Sequence, residues 1–599
     1  MDQDRPNNHP RYLSPLIQRL LKLKVWFADR FHISQRQLML LWAALIGLLG
    51  ALAAECFRRC TDLLHFLATG SDMEIISSFA QLPLWQKLAV PAAGGFLAGL
   101  TLWFGNRFTM RLRQKTTTDY MEAIVVGNGN ISVAASLVKS ISALFSISTG
   151  ASIGREGPLV QLSSLVASLV GRARSFPVAQ RRHLVACGAA AGIASAYNAP
   201  IAGSFFVAEI ILGTVVVESL GPLILAAVVA TFTAQLLHGG GPIYKSPGFT
   251  LHNYWEILFL SFMGVISGLL APVYLRFLRT VEHLFSKLTL APPAKLAFGG
   301  VIVGLLAMIS PDVCGNGQGA LDTLFRQNWF FNEILAILIL KVVATAATFG
   351  SGAVGGVFTP TLFIGASLGM LYGRSLPLLF PGLHLDPGMY GIVGMGSFIA
   401  ATTGAPLMSI LMGFELTLDY TLAPLLMVTC VIAYYCSSIF EKRFIYGESL
   451  ERKGASFFNQ QLAEAKIADL IQPDPITLPG NASFAEIART FVQQPFQHIY
   501  IVGPNNQFLG AVSLHDIKEY LDRPELATMF IAADLMNEDF PRISRFQGMG
   551  AAFEKFSEIR SERLPVVDDL DSGRLIGSIS KTDIMLYLSG KQKLKGARS

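Results

Sequence analysis

The chain is short of charge. Only 15% of its 599 residues are Asp, Glu, Lys or Arg, against about 25% in an ordinary soluble domain. Acids are few and scattered between residues 130 and 440. A divalent-cation transporter needs clustered carboxylates within its helices, so their scarcity argues against that reading. Cysteine is sparse as well. Cys56, Cys60, Cys187, Cys314, Cys430 and Cys436 contain no Cys-x-x-Cys pair, which removes the usual signature of a zinc site or disulfide framework and leaves buried apolar thiols. No metal ligand set is expected. His-Glu-x-x-His and paired catalytic acids are missing too, so nothing marks an enzyme. The net charge of +6 calls for no nucleic-acid partner, because lysines and arginines flanking a membrane account for it.

Apolar sequence fills the space that charge leaves. Hydrophobic residues make up 52% of the chain, concentrated before residue 441. Leu38–Ala54, Leu220–Leu237, Ile257–Tyr274, Leu296–Ile309, Ile334–Ala347 and Leu422–Phe440 approach the roughly 20 residues needed to cross a bilayer as a helix. Leu159–Val170 and Ile201–Val217 are shorter and are expected to be broken or re-entrant helices lining a protein cavity. Well over ten helices of uneven length follow. Residues 1–37 carry seven Lys or Arg against three Asp, with no compact apolar core and cleavage site. Leu16, Leu20, Leu23 and Phe27 share a face opposite Arg19, Lys22 and Lys24, as in a basic amphipathic helix on a membrane surface. The positive-inside rule places this end in the cytoplasm. Membrane lipid is therefore one partner, and a bacterial inner membrane is the expected location.

The apolar region is an internal duplication. Lys139, Gly150-Ala151, Pro158 and Gly171-Arg172 recur as Lys341, Gly352-Ala353, Pro360 and Gly373-Arg374, each 202 residues on. A second echo relates Ala199-Pro200 and Glu209 to Ala405-Pro406 and Glu415, 206 residues on. Repeated Gly/Pro-interrupted apolar segments point to the binding site in membrane transport folds. In the run 150–158, glycines and Pro158 open a helix whose free N–H groups and dipole suit an anion. Residues 355–360 have the same design. The copies differ where Arg155-Glu156 aligns with Val357-Phe358. The apolar pair offers its amides. Glu156, an ionisable residue at a helix end inside the membrane, reads as a tethered anion that competes for the site until it is protonated or displaced. The plainer reading, a structural Arg155–Glu156 pair, is disfavoured because adjacent helical residues do not face each other. Lys139 and Lys341 either add positive potential near the site or snorkel to an interface.

From about residue 441 the composition is that of a soluble protein. Segments 466–521 and 531–588 resemble each other, each with a helix, a β-run and a second β-run ending at Ser513-Leu-His-Asp516 or Ser580-Lys-Thr-Asp583. They look like a tandem pair of CBS domains after a linker at 448–465. Locally, Ser-x-x-Asp at a strand-to-helix junction is a helix N-cap. The CBS resemblance adds a possible adenine-nucleotide site at Ser513, Asp516, Ser580 and Asp583, or else a packing module.

Gly-Arg-Glu-Gly-Pro at 154–158, Gly-Gly-Val-Phe-Thr-Pro at 355–360 and Asn-Ala-Pro at 198–200, with the CBS pair behind them, resemble the CLC chloride channels and chloride/proton antiporters. The resemblance implies an α-helical multi-pass membrane domain at 38–447 with the inverted-repeat CLC fold, an α+β CBS pair, and a homodimer with one pore per subunit that carries chloride and other small anions. It also implies that Glu156 is the gate, that Arg155, Gly157, Val357 and Phe358 surround the anion, and that Tyr446 coordinates it. Two departures stand out. The family's Gly-Ser-Gly-Ile-Pro run is replaced by Thr116-Thr-Thr-Asp119-Tyr120, where Thr116 is the candidate hydroxyl. Ile210 follows Glu209 where proton-coupled members carry a second acid. This favours a channel or a weakly coupled conductor, with chloride/proton antiport as the alternative.

Overall fold

The computed structural model describes residues 35–111, 117–125, 127–213, 215, 217–239, 241, 243–244, 255–381, 385–441, 444–446, 467–473, 475–493, 498–513, 517, 530–548, 551–552, 555–556, 563–569 and 572–580. The basic N-terminal segment, Thr116, the linker, Asp516 and Asp583 lie outside them. The chain divides into two compact units, Met1–Leu450 and Glu451–Ser599.

The first unit is helical throughout its described part. Among the described residues, eight helices are long and apolar enough to cross a membrane, including Gln37–Thr69, Glu256–Lys287, Phe331–Gly350 and Tyr420–Phe440. Val133–Ser148, Pro200–Ile211 and Pro406–Thr417 are apolar but shorter, as the run lengths predict for the 200s. Helix order repeats. Val133–Ser148, Glu156–Ala173, Val178–Tyr197 and Pro200–Phe205 are matched by Phe331–Gly350, Phe358–Leu379, Pro387–Thr403 and Pro406–Thr417. The turns repeat as well. Gly150 and Gly352 take positive φ of 90° and 95°, a conformation open to glycine at little cost. Asn198 and Gly404 end their helices in the left-handed region, and each is followed by an Ala-Pro that restarts the chain in a new direction.

Lipid offers no hydrophobic drive between helices, so close packing and buried hydrogen bonds hold them together. A Cβ on Gly47 would lie 2.3 Å from the carbonyl oxygen of Ala226, and one on Gly369 would lie 2.0 Å from that of Tyr390. At these crossings backbone touches backbone. Ser267 and Ser397 join two helices through their hydroxyls at 2.8 Å. The core includes Phe206, Phe358, Phe363, Tyr390 and Phe398.

The second unit holds two similar sheets. Strand β1 (Thr477–Pro479) is parallel to β2 (His498–Val502), which is antiparallel to β3 (Phe508–Ser513). Strands β4 (Ile543–Ser544), β5 (Arg563–Val567) and β6 (Leu575–Ser580) repeat that order. Both antiparallel pairs shift register at the same place, Ile501/Val502 and Val566/Val567. Tyr500, Phe508, Phe540, Val567 and Leu575 form an apolar cluster shared by the two halves.

Candidate functional site

Among their contacts, the two copies pair backbone to backbone at equivalent glycines. Gly154 donates its N–H to the carbonyl of Gly356 at 2.6 Å, and Gly356 donates back to Gly154 at 2.9 Å. The two glycines are equivalents, 202 residues apart. An antiparallel bridge between equivalent residues places a local two-fold axis between them. It follows that the helices starting at Glu156 and Phe358 approach the axis from opposite sides with their N-termini facing inward, as the duplicated spacing predicts.

Glu156 is the first residue of its helix and is 3% exposed. Its carboxylate crosses to the other copy. The Thr359 amide donates to Oε1 at 3.1 Å and the Thr359 hydroxyl approaches Oε2 at 3.2 Å. The amides of Phe358 and of Glu156 itself also lie against it. The seat is shaped by absence of side chains, since a Cβ on Gly154 would lie 1.9 Å from Oε2 and one on Gly356 would lie 2.6 Å from Oε1. Gly157 packs on the backbone of Gly355 and Gly356. A carboxylate thus occupies the free N–H groups of the Phe358–Leu379 helix, the place a small anion would take.

An aromatic cluster adjoins the seat. Tyr197 hydrogen-bonds its hydroxyl to Thr359 Oγ1 at 2.7 Å, and its ring lies 5.4 Å from that of Phe358. The Phe206 ring lies nearly perpendicular to that of Phe358, with centroids 6.5 Å apart, and to that of Tyr446, at 5.4 Å. The structure therefore gathers Glu156, Gly157, Val357, Phe358 and Tyr446. Arg155 goes elsewhere. Its guanidinium donates to Gln318 at 3.2 Å and lines a polar cavity of about 380 Å³ with His65, Glu74, Asp322 and Arg326. Tyr446 is partly buried against the core, with its ring against that of Phe206.

Four of the other repeated charges, Glu209, Glu415, Lys341 and Lys139, have structural partners. Glu209 accepts from the amides of Leu407 and Met408 at 3.2 and 2.8 Å. Glu415 accepts from Ile201 and Ala202 at 2.9 and 2.7 Å. Each carboxylate caps the broken helix of the opposite copy. Lys341 is fully buried and donates to the carbonyls of Val313 and Gly315, both at 2.9 Å, so it does not snorkel. Lys139 donates to Thr118 at 3.0 Å, the matching position in the first copy. Both lysines tie a preceding loop to their helix.

Sequence reasoning did not single out Thr359, Tyr197 or Phe206. The duplication held a signal for the first: Thr359 aligns with Gly157, directly after Glu156. Two stretches, Gly150-Ala-Ser152-Ile-Gly154 and Gly365-Ala-Ser367-Leu-Gly369, match the Gly-x-Ser-x-Gly letters of a hydrolase elbow. Neither has the strand-to-helix context that pattern requires. Ser152 is buried against Thr345 Oγ1 at 3.0 Å, and Ser367 lies inside the Phe358–Leu379 helix.

An inverted pair of membrane helix sets, with two helix N-termini converging on a titratable side chain, defines an anion-transport protein. The chain belongs to the CLC family: the voltage gated chloride channel profile matches residues 94–438, and CBS domains match 467–523 and 532–590. A ClcB-like chloride channel protein of Ralstonia nicotianae is 46% identical over 418 residues, which is 69% of this chain and 97% of the relative. Among solved structures, a slow cyanobacterial Cl-/H+ antiporter aligns with TM-score 0.61 and 25% identity over 70% of this chain and 99% of its own. A eukaryotic CLC transporter aligns over 92% of this chain and 99% of its own, with TM-score 0.57 and 18% identity. That last likeness extends to the architecture of the tail.

Proposed function

We propose that this protein moves chloride and similar small anions through a passage in each subunit of a homodimer, gated by Glu156 and leaning toward channel-like or weakly coupled conduction. One observation carries the proposal. The Glu156 carboxylate sits on the Thr359 amide and hydroxyl at the start of a helix from the other copy. Protonation removes its charge and releases that seat to a mobile anion. The amides of Val357 and Phe358 and the hydroxyl of Tyr446 form the rest of the path.

Ile210 supports the weakly coupled reading. It follows a Glu209 already engaged as a cap, and an isoleucine carries no proton. Chloride/proton antiport is the second reading, favoured by the likeness to the slow cyanobacterial antiporter. Chloride-loaded liposomes with a proton-sensitive readout separate them. Proton movement uphill, driven by a chloride gradient, would overturn the channel reading. A bacterial inner membrane with the CBS pair in the cytoplasm fits the basic N-terminal segment. At the tail, Ser513 and Ser580 close the equivalent strands β3 and β6, so an adenine nucleotide binding there would meet two similar strand ends. Calorimetric titration of the whole protein with ATP, ADP and AMP tests this; no heat would leave the pair a packing module.

A further inference from the structure

We propose that Phe206 is a specificity-determining residue of the anion passage, an aromatic shutter set beside Tyr446 by a π-turn that only the first copy possesses. The inference rests on the anion-transport reading above and adds to it a residue that no motif marks.

The local backbone is the first ground. Residues Phe206–Ile211 form a π-helix directly after the Pro200–Phe205 helix, and Leu212 donates its N–H five residues back, to Val207, at 2.9 Å. The equivalent stretch of the second copy is α-helical from Pro406 to Thr417. There the counterpart of Phe206 is Met412, 206 residues on. A π-turn widens the helix by one residue, is rare, and is frequently found at functional sites. Two symmetric anchors hold it. Glu415 fixes the amides of Ile201 and Ala202 just before the turn, and Glu209, within the turn, is fixed by Leu407 and Met408. The ring of Phe206 is thus set from both sides by the opposite copy.

Its surroundings are the second ground. Phe206 is 1% exposed. It meets Tyr446 at an interplanar angle of 83° and Phe358 at 82°, so it bridges the proposed anion-coordinating tyrosine and the residue whose amide faces the Glu156 carboxylate. In T-shaped arrays ring edges carry partial positive charge and faces partial negative charge. An anion that has shed its water gains from a ring edge, whereas a hydrated one meets an apolar constriction. The shutter therefore discriminates by size and ease of dehydration, which backbone amides do weakly.

The test is relative permeability. Wild type, Phe206→Leu, Phe206→Ala and Met412→Ala are reconstituted in liposomes, after monodispersity and thermal unfolding establish that each is folded, and chloride, nitrate and thiocyanate fluxes are compared. Phe206→Leu keeps most of the volume without the aromatic edge and serves where Phe206→Ala fails to fold. Phe206 variants are expected to change thiocyanate relative to chloride by about two- to tenfold, the range of one aromatic contact, with Met412→Ala unchanged. Wild-type selectivity in both Phe206 variants overturns this inference alone. So does an equal shift in Met412→Ala, which would mark a general loosening of the paired helices. A wild type that carries none of the three anions overturns the transport reading and this inference with it.

Discussion

At the scale of single residues, the site turns on how one carboxylate is seated. Glu156 is held by the amide and hydroxyl of Thr359, with the amides of Phe358 and of Glu156 itself beside them. In wild type, chloride flux should rise as pH falls, because protonated Glu156 no longer competes for the helix N-terminus. Glu156→Gln keeps the shape and removes the charge, so flux should persist and its pH dependence should vanish, as followed by chloride efflux across a pH series. Thr359→Val removes one hydroxyl donor and leaves the amide. A hydrogen bond to a charged group is worth about 1.5–3 kcal/mol, so closure should weaken by about tenfold or more, read as higher flux at neutral pH. Gly356→Ala should give a similar phenotype by another route. Its Cβ would fall 2.6 Å from Oε1 and 2.7 Å from both Cδ and Cγ of Glu156, so the carboxylate must leave its seat.

Elements follow from patterns of different reach. The broken helices were legible in the sequence because Gly-Ala, Pro and Gly-Arg recur at a fixed offset, and local chemistry dictates where such a helix starts. Glu156 was legible because an acid within a membrane-spanning apolar run is costly to bury and so marks a site by default. Thr359 was legible only as the equivalent of Gly157; its bond to Glu156 was not, since that partner lies 203 residues away and a buried threonine in a helix usually bonds its own backbone, as Thr361 does to Val357. Nor was the π-turn: Phe206 and Met412 are both ordinary core residues by composition, and only the hydrogen-bond register separates them. The mutual caps were half legible. Equal spacing marked Glu209 and Glu415 as shared architecture, while the crossing between copies appears only in three dimensions. Losing a helix cap costs about 0.5–2 kcal/mol. Glu209→Gln and Glu415→Gln should therefore lower thermal stability in detergent by similar amounts; a drop confined to one of them would contradict the symmetry.

For the whole molecule, the division of labour between units is the testable matter. The Ralstonia relative is covered along 97% of its length by 69% of this chain, and the chain itself divides into two compact units. Phe508 belongs to the apolar cluster shared by both CBS halves, and truncating a buried phenylalanine costs about 3–5 kcal/mol. Phe508→Ala should lower the unfolding temperature of the tail, followed by limited proteolysis, and leave the anion selectivity of the membrane unit unchanged. A selectivity change would mean that the tail shapes the passage itself. The tail was legible as two similar halves because their strand and turn chemistry repeats, and the matching register shifts in β2–β3 and β5–β6 give that likeness its structural form.

The Gly154–Gly356 bridge also constrains how such a chain can diverge from two identical halves. Whatever stands two residues beyond each glycine is brought toward one axis. Glutamate in both copies would crowd two carboxylates into one dehydrated space, where both cannot ionise together, and each would deny the other its seat. Phenylalanine in both would leave nothing to release. A duplicated gene can keep the symmetric scaffold indefinitely, but seating one carboxylate on the opposite helix requires that this one position break the symmetry, so Glu156 and Phe358 are a single joint solution rather than two separate choices.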